Sequence, residues 1–425
     1  MDANHKLVIG TGIERGYDRP LTLSPEDRRQ HLYVIGKSGV GKSNLLRNLI
    51  LQDIEAGKGV GLIDPHGDLA ADILDHIPGH LSKRVVYFDP SDVDFPLALN
   101  VLGNVPHSLR PLAASGIVSV FKNAWSEFWG PRLEYILLAT ISALLDCNNV
   151  SLLGVQRMLS EDRFRAWVVD QVKDPMVRHF WRHEFENYEK RFLQEAIAPI
   201  QNKVGQLLMS PQLRNILGQV RGKFDARFLM DDCRIFIASL PKGMIGEDKA
   251  NLIGSFLVSQ FELAAMSRAD IPESRRRDFH LYLDEFQSYA TESFVTILSE
   301  ARKYRLCLTL AHQYMDQIKP RIRDAILGNV GSIVAFRVGH RDAAMLENAF
   351  GNSFPAERFT SLGNREIIAK LLREGQDREA IQGRTLPPHG VPHRRRDIII
   401  QRSRDHYGTR REIVERRITQ WLGQH

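Results

Sequence analysis

Gly36-Lys37-Ser38-Gly39-Val40-Gly41-Lys42-Ser43 has the form G-x-x-x-x-G-K-S, and its flanks decide how it is read. Before it, Leu32-Tyr33-Val34-Ile35 is a short apolar run. After it, Asn44 to Glu55 carries Leu45, Leu46, Leu49 and Ile50 at helical spacing. Strand, glycine loop and helix therefore follow one another in the order a phosphate-binding loop requires. The glycines let backbone N–H groups converge on a β-phosphate, the positive end of the following helix points at it, and Lys42 neutralises β and γ oxygens. Residues Gly36 to Asn44 are expected to hold ATP, with Ser43 on Mg²⁺.

Working outward, the pattern recurs. Val60 to Ile63 reads as a buried strand, Leu69 to Ile77 as a helix and Val85 to Phe88 as a strand, and this alternation implies an α/β fold with a mostly parallel sheet. From about residue 105 to 225 the texture changes to long helical patterns, including Arg132 to Leu145, Asp162 to Val172, Val177 to Tyr188 and Leu193 to Leu208. Aromatics there, Trp125, Trp167, Trp181 and Phe185 among them, are read as packing, since aromatics at helical spacing usually form core. Strands resume at Arg234 to Ser239, His280 to Leu283, Leu306 to Ala311 and Ser332 to Val338, with helices at Leu252 to Met266 and Ser293 to Tyr304. The expected organisation is a P-loop core begun by 1–105, an all-α insertion over 106–225, the rest of the core over 226–345, and a carboxyl-terminal region over 346–425. In that last region Gly351 to Gly383 is mixed and polar. Glu412 to Leu422 puts Ile413, Val414, Ile418, Trp421 and Leu422 on one face of a helix.

A P-loop enzyme also needs a carboxylate at the tip of a nearby strand to hold the metal, and His280-Leu281-Tyr282-Leu283-Asp284-Glu285 is an apolar strand ending in two acids. Asp284 is assigned to Mg²⁺ and Glu285 to orienting and polarising the attacking water. Leu306 to Ala311 ends at His312-Gln313, where Gln313 is placed to touch the γ-phosphate or that water. Hydrolysis gains from a guanidinium supplied by a neighbouring subunit. Arg302 is the first choice for it, with Arg337 and Arg341 as competitors.

The net charge of +6 is unevenly placed: Arg384 to His425 holds ten Arg against Asp397, Asp405, Glu412 and Glu415, so the preceding residues sum to zero. A basic end on a neutral body suggests an anionic partner such as nucleic acid. No apolar run has the length of a transmembrane helix, and Asp2, His5 and Lys6 occupy the place of a signal peptide's apolar stretch, so a cytoplasmic location without an integral membrane segment is expected. Cys147, Cys233 and Cys307 lack metal-ligand spacing and read as reduced thiols. ABC-type and protein-kinase readings fail because no L-S-G-G-Q, H-R-D or D-F-G segment is present.

These residues resemble the HerA and FtsK superfamily of DNA-pumping ATPases, particularly relatives of the conjugative coupling proteins TraG and TraD. The resemblance rests on His31-Leu32-Tyr33-Val34-Ile35-Gly36, Leu62-Ile63-Asp64-Pro65-His66-Gly67-Asp68-Leu69, Tyr282-Leu283-Asp284-Glu285-Phe286-Gln287, Ser299-Glu300-Ala301-Arg302-Lys303-Tyr304 and Leu310-Ala311-His312-Gln313-Tyr314. It implies a RecA-like core, a homo-hexameric ring with ATP sites between subunits, a trans-acting arginine matching Arg302, an acidic residue near the active site matching Asp64, and double-stranded DNA moved through the pore. It also implies a protein partner, whether a nuclease, a relaxase or a defence effector. An ATP-dependent hexameric scaffold that assembles and regulates such an effector is the alternative to a DNA motor. Coupling proteins usually carry amino-terminal membrane helices and HerA proteins an amino-terminal β-barrel, whereas here 35 residues precede Gly36.

Overall fold

Leu32–Ile35 (β3) is buried along its whole length, and an apolar run with no polar face must be covered on both sides and paired on both edges. Its partners come from far along the chain. Leu306–His312 (β8) lies parallel on one side, with Ile35 opposite His312, and Ser332–Ala335 (β9) lies parallel on the other, with Ile35 opposite Ala335. Beyond β8 come Phe279–Leu283 (β7), Gly59–Asp64 (β4), Ile235–Ser239 (β6) and Val85–Phe88 (β5). Beyond β9 the sheet turns antiparallel through Glu366–Lys370 (β10), Ile381–Thr385 (β13), Leu7–Glu14 (β1) and Tyr17–Leu23 (β2). The eleven-stranded order is β2-β1-β13-β10-β9-β3-β8-β7-β4-β6-β5, and a small hairpin of Leu372–Arg373 (β11) and Gln376–Asp377 (β12) stands apart from it. This is the large, mostly parallel α/β sheet expected of a RecA-like P-loop core.

The computed structural model describes residues 6–14 and 17–423; Asp2 and His5 lie outside the described residues. The chain forms two compact units, one of Met1–Tyr87, Arg227–Ser239 and Arg268–Arg402, the other of Phe88–Ala226, Leu240–Ser267 and Ser403–His425. The helical unit therefore reaches beyond the 106–225 span of the sequence reading, and the sheet unit includes strands β10 and β13 in the stretch that had looked merely polar.

The antiparallel edge depends on glycine. A Cβ on Gly10 would lie 2.2 Å from the carbonyl oxygen of Arg384, and one on Gly383 would lie 2.4 Å from that of Thr11, so β1 and β13 approach only because neither residue has a side chain. The phosphate-loop helix, Lys42–Glu55 (α2), is tied to this edge by Gln52, whose amide donates to Val8 O and accepts from Val8 N, both at 2.9 Å.

A second tie runs to the other side of the sheet. Arg28, at the end of Pro25–Arg28 (α1), donates to both oxygens of Asp53 on α2 at 2.6 and 2.8 Å, and its Nη2 also donates to Tyr282 Oη on β7 at 2.9 Å. Burial opposes both charges, but their mutual attraction wins. Asp53 is held down at about 2, and Arg28 is raised above the ordinary arginine value. The network fixes the nucleotide helix against the strand that ends in Asp284.

In the helical unit, Arg110–Ala124, Pro131–Leu145, Leu153–Ser160, Asp162–Gln171, Lys190–Met209 and Pro211–Leu217 pack around Trp181, Phe185, Phe164 and Phe121, all essentially buried. Pro175–His179 continues into the wider π-helical turn Phe180–Phe185. Glu247–Ser267 belongs to this unit and not to the sheet unit. The last helix, Arg411–Leu422, buries Val414 and Ile418, whereas Leu422 is exposed, so the apolar face is narrower than its sequence suggests. No helix among the described residues is long and apolar enough to cross a membrane.

Removing one member of a buried pair strands the other charge, so Asp53→Ala should cost about 3–5 kcal/mol of unfolding free energy at pH 7. Because the carboxyl is depressed to about 2 when folded, its contribution is complete above the unfolded value near 4 and is lost as pH falls toward 2. Chemical denaturation of wild type and variant at pH 7 and pH 3 should show the gap narrow at the lower pH.

Candidate nucleotide site

Parallel pairing aligns the ends of the strands. Ile63 pairs with Leu283, Leu283 with Leu310, and Ile35 with His312, so Asp64, Asp284, Gln313 and Gly36 stand at or just beyond the carboxyl ends of neighbouring parallel strands. Asp284 N donates to Ile63 O at 3.2 Å and Gly36 N to His312 O at 3.3 Å, which carries the sheet register one residue into the loops.

Gly36 passes so close to Phe336 that a Cβ would sit 2.6 Å from that residue's own, and Gly39 and Gly41 adopt φ of +74° and +117°. Lys37, Ser38 and Gly39 are exposed at the crest of the loop. Lys42 curls back beneath them, donating from Nζ to Gly36 O at 2.6 Å and Lys37 O at 2.8 Å. Burial lowers its pKa, and the charges of Asp284 and Glu285 oppose that shift. Ser43 is exposed at the first turn of α2 and lines a cleft with Asp64, His66 and Asp284.

Asp284 is buried among other acids. Burial, then the neighbouring Asp64 and Glu285, raise its pKa to about 6, with Lys42 pulling the other way. Glu285 follows in the left-handed region at φ +46°, a conformation rare outside glycine and typical of functional turns. Its Oε1 accepts from Gln313 Nε2 at 2.9 Å, and His66 Nε2 lies 3.1 Å from the same oxygen. Lys42, Asp284, Glu285 and Gln313 are thus brought together.

Asp64 and Arg302 are placed differently. Both oxygens of Asp64 accept backbone N–H groups, Oδ1 from His66 and Oδ2 from Ala70, each at 2.9 Å, so this side chain anchors the start of Asp68–His76 (α3) and acts on the site through its charge. Arg302 lies in the turn before β8 begins, beside His31 at the start of β3. Strands rise about 3.3 Å per residue, so the length of β8 separates Arg302 from its own subunit's phosphate loop. Of the competitors, Arg337 donates to Leu362 O and Asn364, both at 3.3 Å, while Arg341 lines a second cleft with Lys37, Ser38 and Gln313.

Two features were missed from sequence. His66 stood inside a recognised motif without a role. The segment after β13 proves to be a strap along α2: Leu386 O accepts from Asn44 at 2.9 Å, Pro387 O from Asn48 at 2.8 Å, and His389 N donates to Asn48 Oδ1 at 2.9 Å. Consecutive prolines at 387 and 388 mark a break in regular structure and do not announce a docked segment; the asparagines on the facing helix were the available signal.

Residues 7–128 match the family described as the central domain of helicase HerA, and residues 278–352 match that described as the TraM recognition site of TraD and TraG. No curated protein matches the chain. Among solved structures, the unbound form of the bacterial conjugative coupling protein TrwBΔN70 is 14% identical, covers 92% of this chain and 91% of its own, and has a TM-score of 0.63. TrwB in complex with ADP and Mg²⁺ is 14% identical with coverages of 92% and 97% and a TM-score of 0.63. VirB4 of Thermoanaerobacter pseudethanolicus is 14% identical with coverages of 93% and 100% and a TM-score of 0.61. At such identities the likeness to these structures is one of fold, and the resemblance in sequence is carried by the two matched segments, the first similar to the central domain of helicase HerA and the second to the segment described in TraD and TraG.

Proposed function

We propose that the chain binds ATP·Mg²⁺ and hydrolyses it as a ring-forming motor on double-stranded DNA. The observation that carries hydrolysis is the convergence of Lys42, Asp284, Glu285 and Gln313 at the carboxyl ends of adjacent parallel strands. Lys42 is the cation for β- and γ-phosphate oxygens; on nucleotide arrival its Nζ exchanges two loop carbonyls for them. Ser43 and Asp284 are the groups for Mg²⁺, which supplies charge neutralisation at the phosphates. Burial first, and then the neighbouring acids, raise the pKa of Asp284, and a divalent cation offsets both by favouring its carboxylate. Glu285, bonded to Gln313, is the base for the attacking water. TrwB, of the same fold, has been captured with ADP and Mg²⁺ and with analogues of both ATP and GTP. In this reading the ring is a hexamer and Arg302 acts on the neighbouring site, the direction its distance from the home site allows.

The DNA component rests on the family and on the basic tail. Part of that tail's charge is spent internally: Arg404 pairs with Asp92 at 2.6 Å, Arg396 with Asp75 at 3.8 Å and Arg411 with Asp94 at 3.9 Å. This spending favours the second reading, an ATP-dependent scaffold that gathers a protein effector, as does the match to a segment described as a protein-recognition site in TraD and TraG.

Lys42→Ala should abolish nucleotide binding measured by fluorescent ATP-analogue titration. Glu285→Gln should bind the analogue as wild type does and lose hydrolysis by about a hundredfold or more. Steady-state hydrolysis by wild type should rise on adding linear double-stranded DNA and the rise should fade with salt; hydrolysis indifferent to DNA rejects the motor in favour of the scaffold. Mixing Arg302→Ala with Lys42→Ala protein should restore part of the turnover that each lacks alone, and no restoration rejects the trans assignment.

A further inference from the structure

Glu285 Oε1 is where side chains from two other strand ends meet. Gln313 reaches it from the end of β8, and His66 from the loop after β4, its Nε2 at 3.1 Å. The base of the His66 side chain is fixed, because its backbone N–H donates to Asp64 Oδ1 and the next residue, Gly67, turns the chain at φ +89° into α3. His66 is thus held by the buried anchor of α3 on one side and touches the candidate base on the other.

A glutamate beside two other acids needs such a contact. Asp64 and Asp284 place like charge beside its carboxylate, and the backbone at Glu285 lies in the left-handed region. Gln313 supplies one neutral donor to it, at 2.9 Å. A second donor from a different loop fixes the direction in which the carboxylate faces. The cleft already favours charge on His66: burial works against protonation, but the hydrogen bond to Glu285, together with the charges of Glu285, Asp64 and Asp284, outweighs it and raises the imidazole above its ordinary value.

We propose that His66 is a positioning residue for Glu285, its Nε2–H holding the carboxylate in the orientation from which it takes a proton from water. It belongs to neither the phosphate cradle nor the metal set. The inference rests on the reading of this cleft as an ATP-hydrolysing site, and it adds the end of β4 to those of β3, β7 and β8 as elements on which turnover depends.

The test is steady-state ATP hydrolysis by the full chain, with KM and kcat determined separately for wild type, His66→Ala, His66→Gln, Glu285→Gln and the His66→Ala/Glu285→Gln double variant. His66→Ala should lower kcat roughly ten- to a hundredfold, as expected for a misdirected catalytic group, and leave KM unchanged. Gln places its Nε2 close to where His places its own, so His66→Gln should restore most of kcat. The double variant should be no slower than Glu285→Gln alone, because both changes act through one group. A His66→Ala enzyme with wild-type kcat beside a dead Glu285→Gln overturns the positioning role and leaves the ATPase reading intact. So does a fall in kcat that Gln does not rescue, or a rise in KM with kcat preserved. If Glu285→Gln turns over as fast as wild type, the reading of the cleft fails and the inference with it.

Discussion

The register between β4, β7 and β8 is the constraint on which the rest of the site depends. Because Ile63, Leu283 and Leu310 lie in line across three parallel strands, the next residues of two of them, Asp64 and Asp284, emerge side by side, and Glu285 follows within hydrogen-bond reach of Gln313. Negative charge concentrated this way opposes folding, and burial makes it worse. The fold tolerates it by giving one acid an internal partner, the backbone N–H groups that Asp64 accepts, and by bringing Lys42 up from the opposite side. A one-residue slip of β7 would turn Asp284 to the other face and scatter the group.

Both halves of the sheet hold the nucleotide helix in place. Gln52 grips β1, while Arg28, Asp53 and Tyr282 grip β7, so α2 is fastened on both flanks by polar contacts. The strap after β13 adds a third fastening along its outer side through Asn44 and Asn48. Apolar packing alone would let a helix slide along its groove; directional bonds at three places set its rotation and its advance, and with them the position of Lys42.

What could be read from the residues follows from the same physics. Strands β3, β4, β7 and β8 are buried on both faces, so they appear as unbroken apolar runs, and the acids and the glutamine stand at their ends where any reader would look. Strands β1 and β13 escaped because what makes them strands is the absence of side chains at Gly10 and Gly383, and glycine is ordinarily evidence of a turn. His66 escaped because nothing local marks it: its meaning comes from Glu285, 219 residues later, which only the sheet brings within 3.1 Å. Arg302 was legible as a candidate but its direction was not, since the strand it precedes had to be placed in the sheet before one could see that it faces away from its own loop.

The phosphate loop lies near the start of the chain, yet the strands that flank β3 begin at Leu306 and Ser332. A ribosome adding about 5–20 residues per second finishes the loop some 300 residues before its support, an interval of roughly 15–60 s. Throughout that time β3 is an apolar segment with both edges bare, the kind of segment that pairs with the wrong partner. Contacts of such long sequence separation also fold slowly once all the chain is available. The nucleotide pocket is therefore a late product of synthesis, and a nascent chain stalled before β9 would present the loop without the ability to use it.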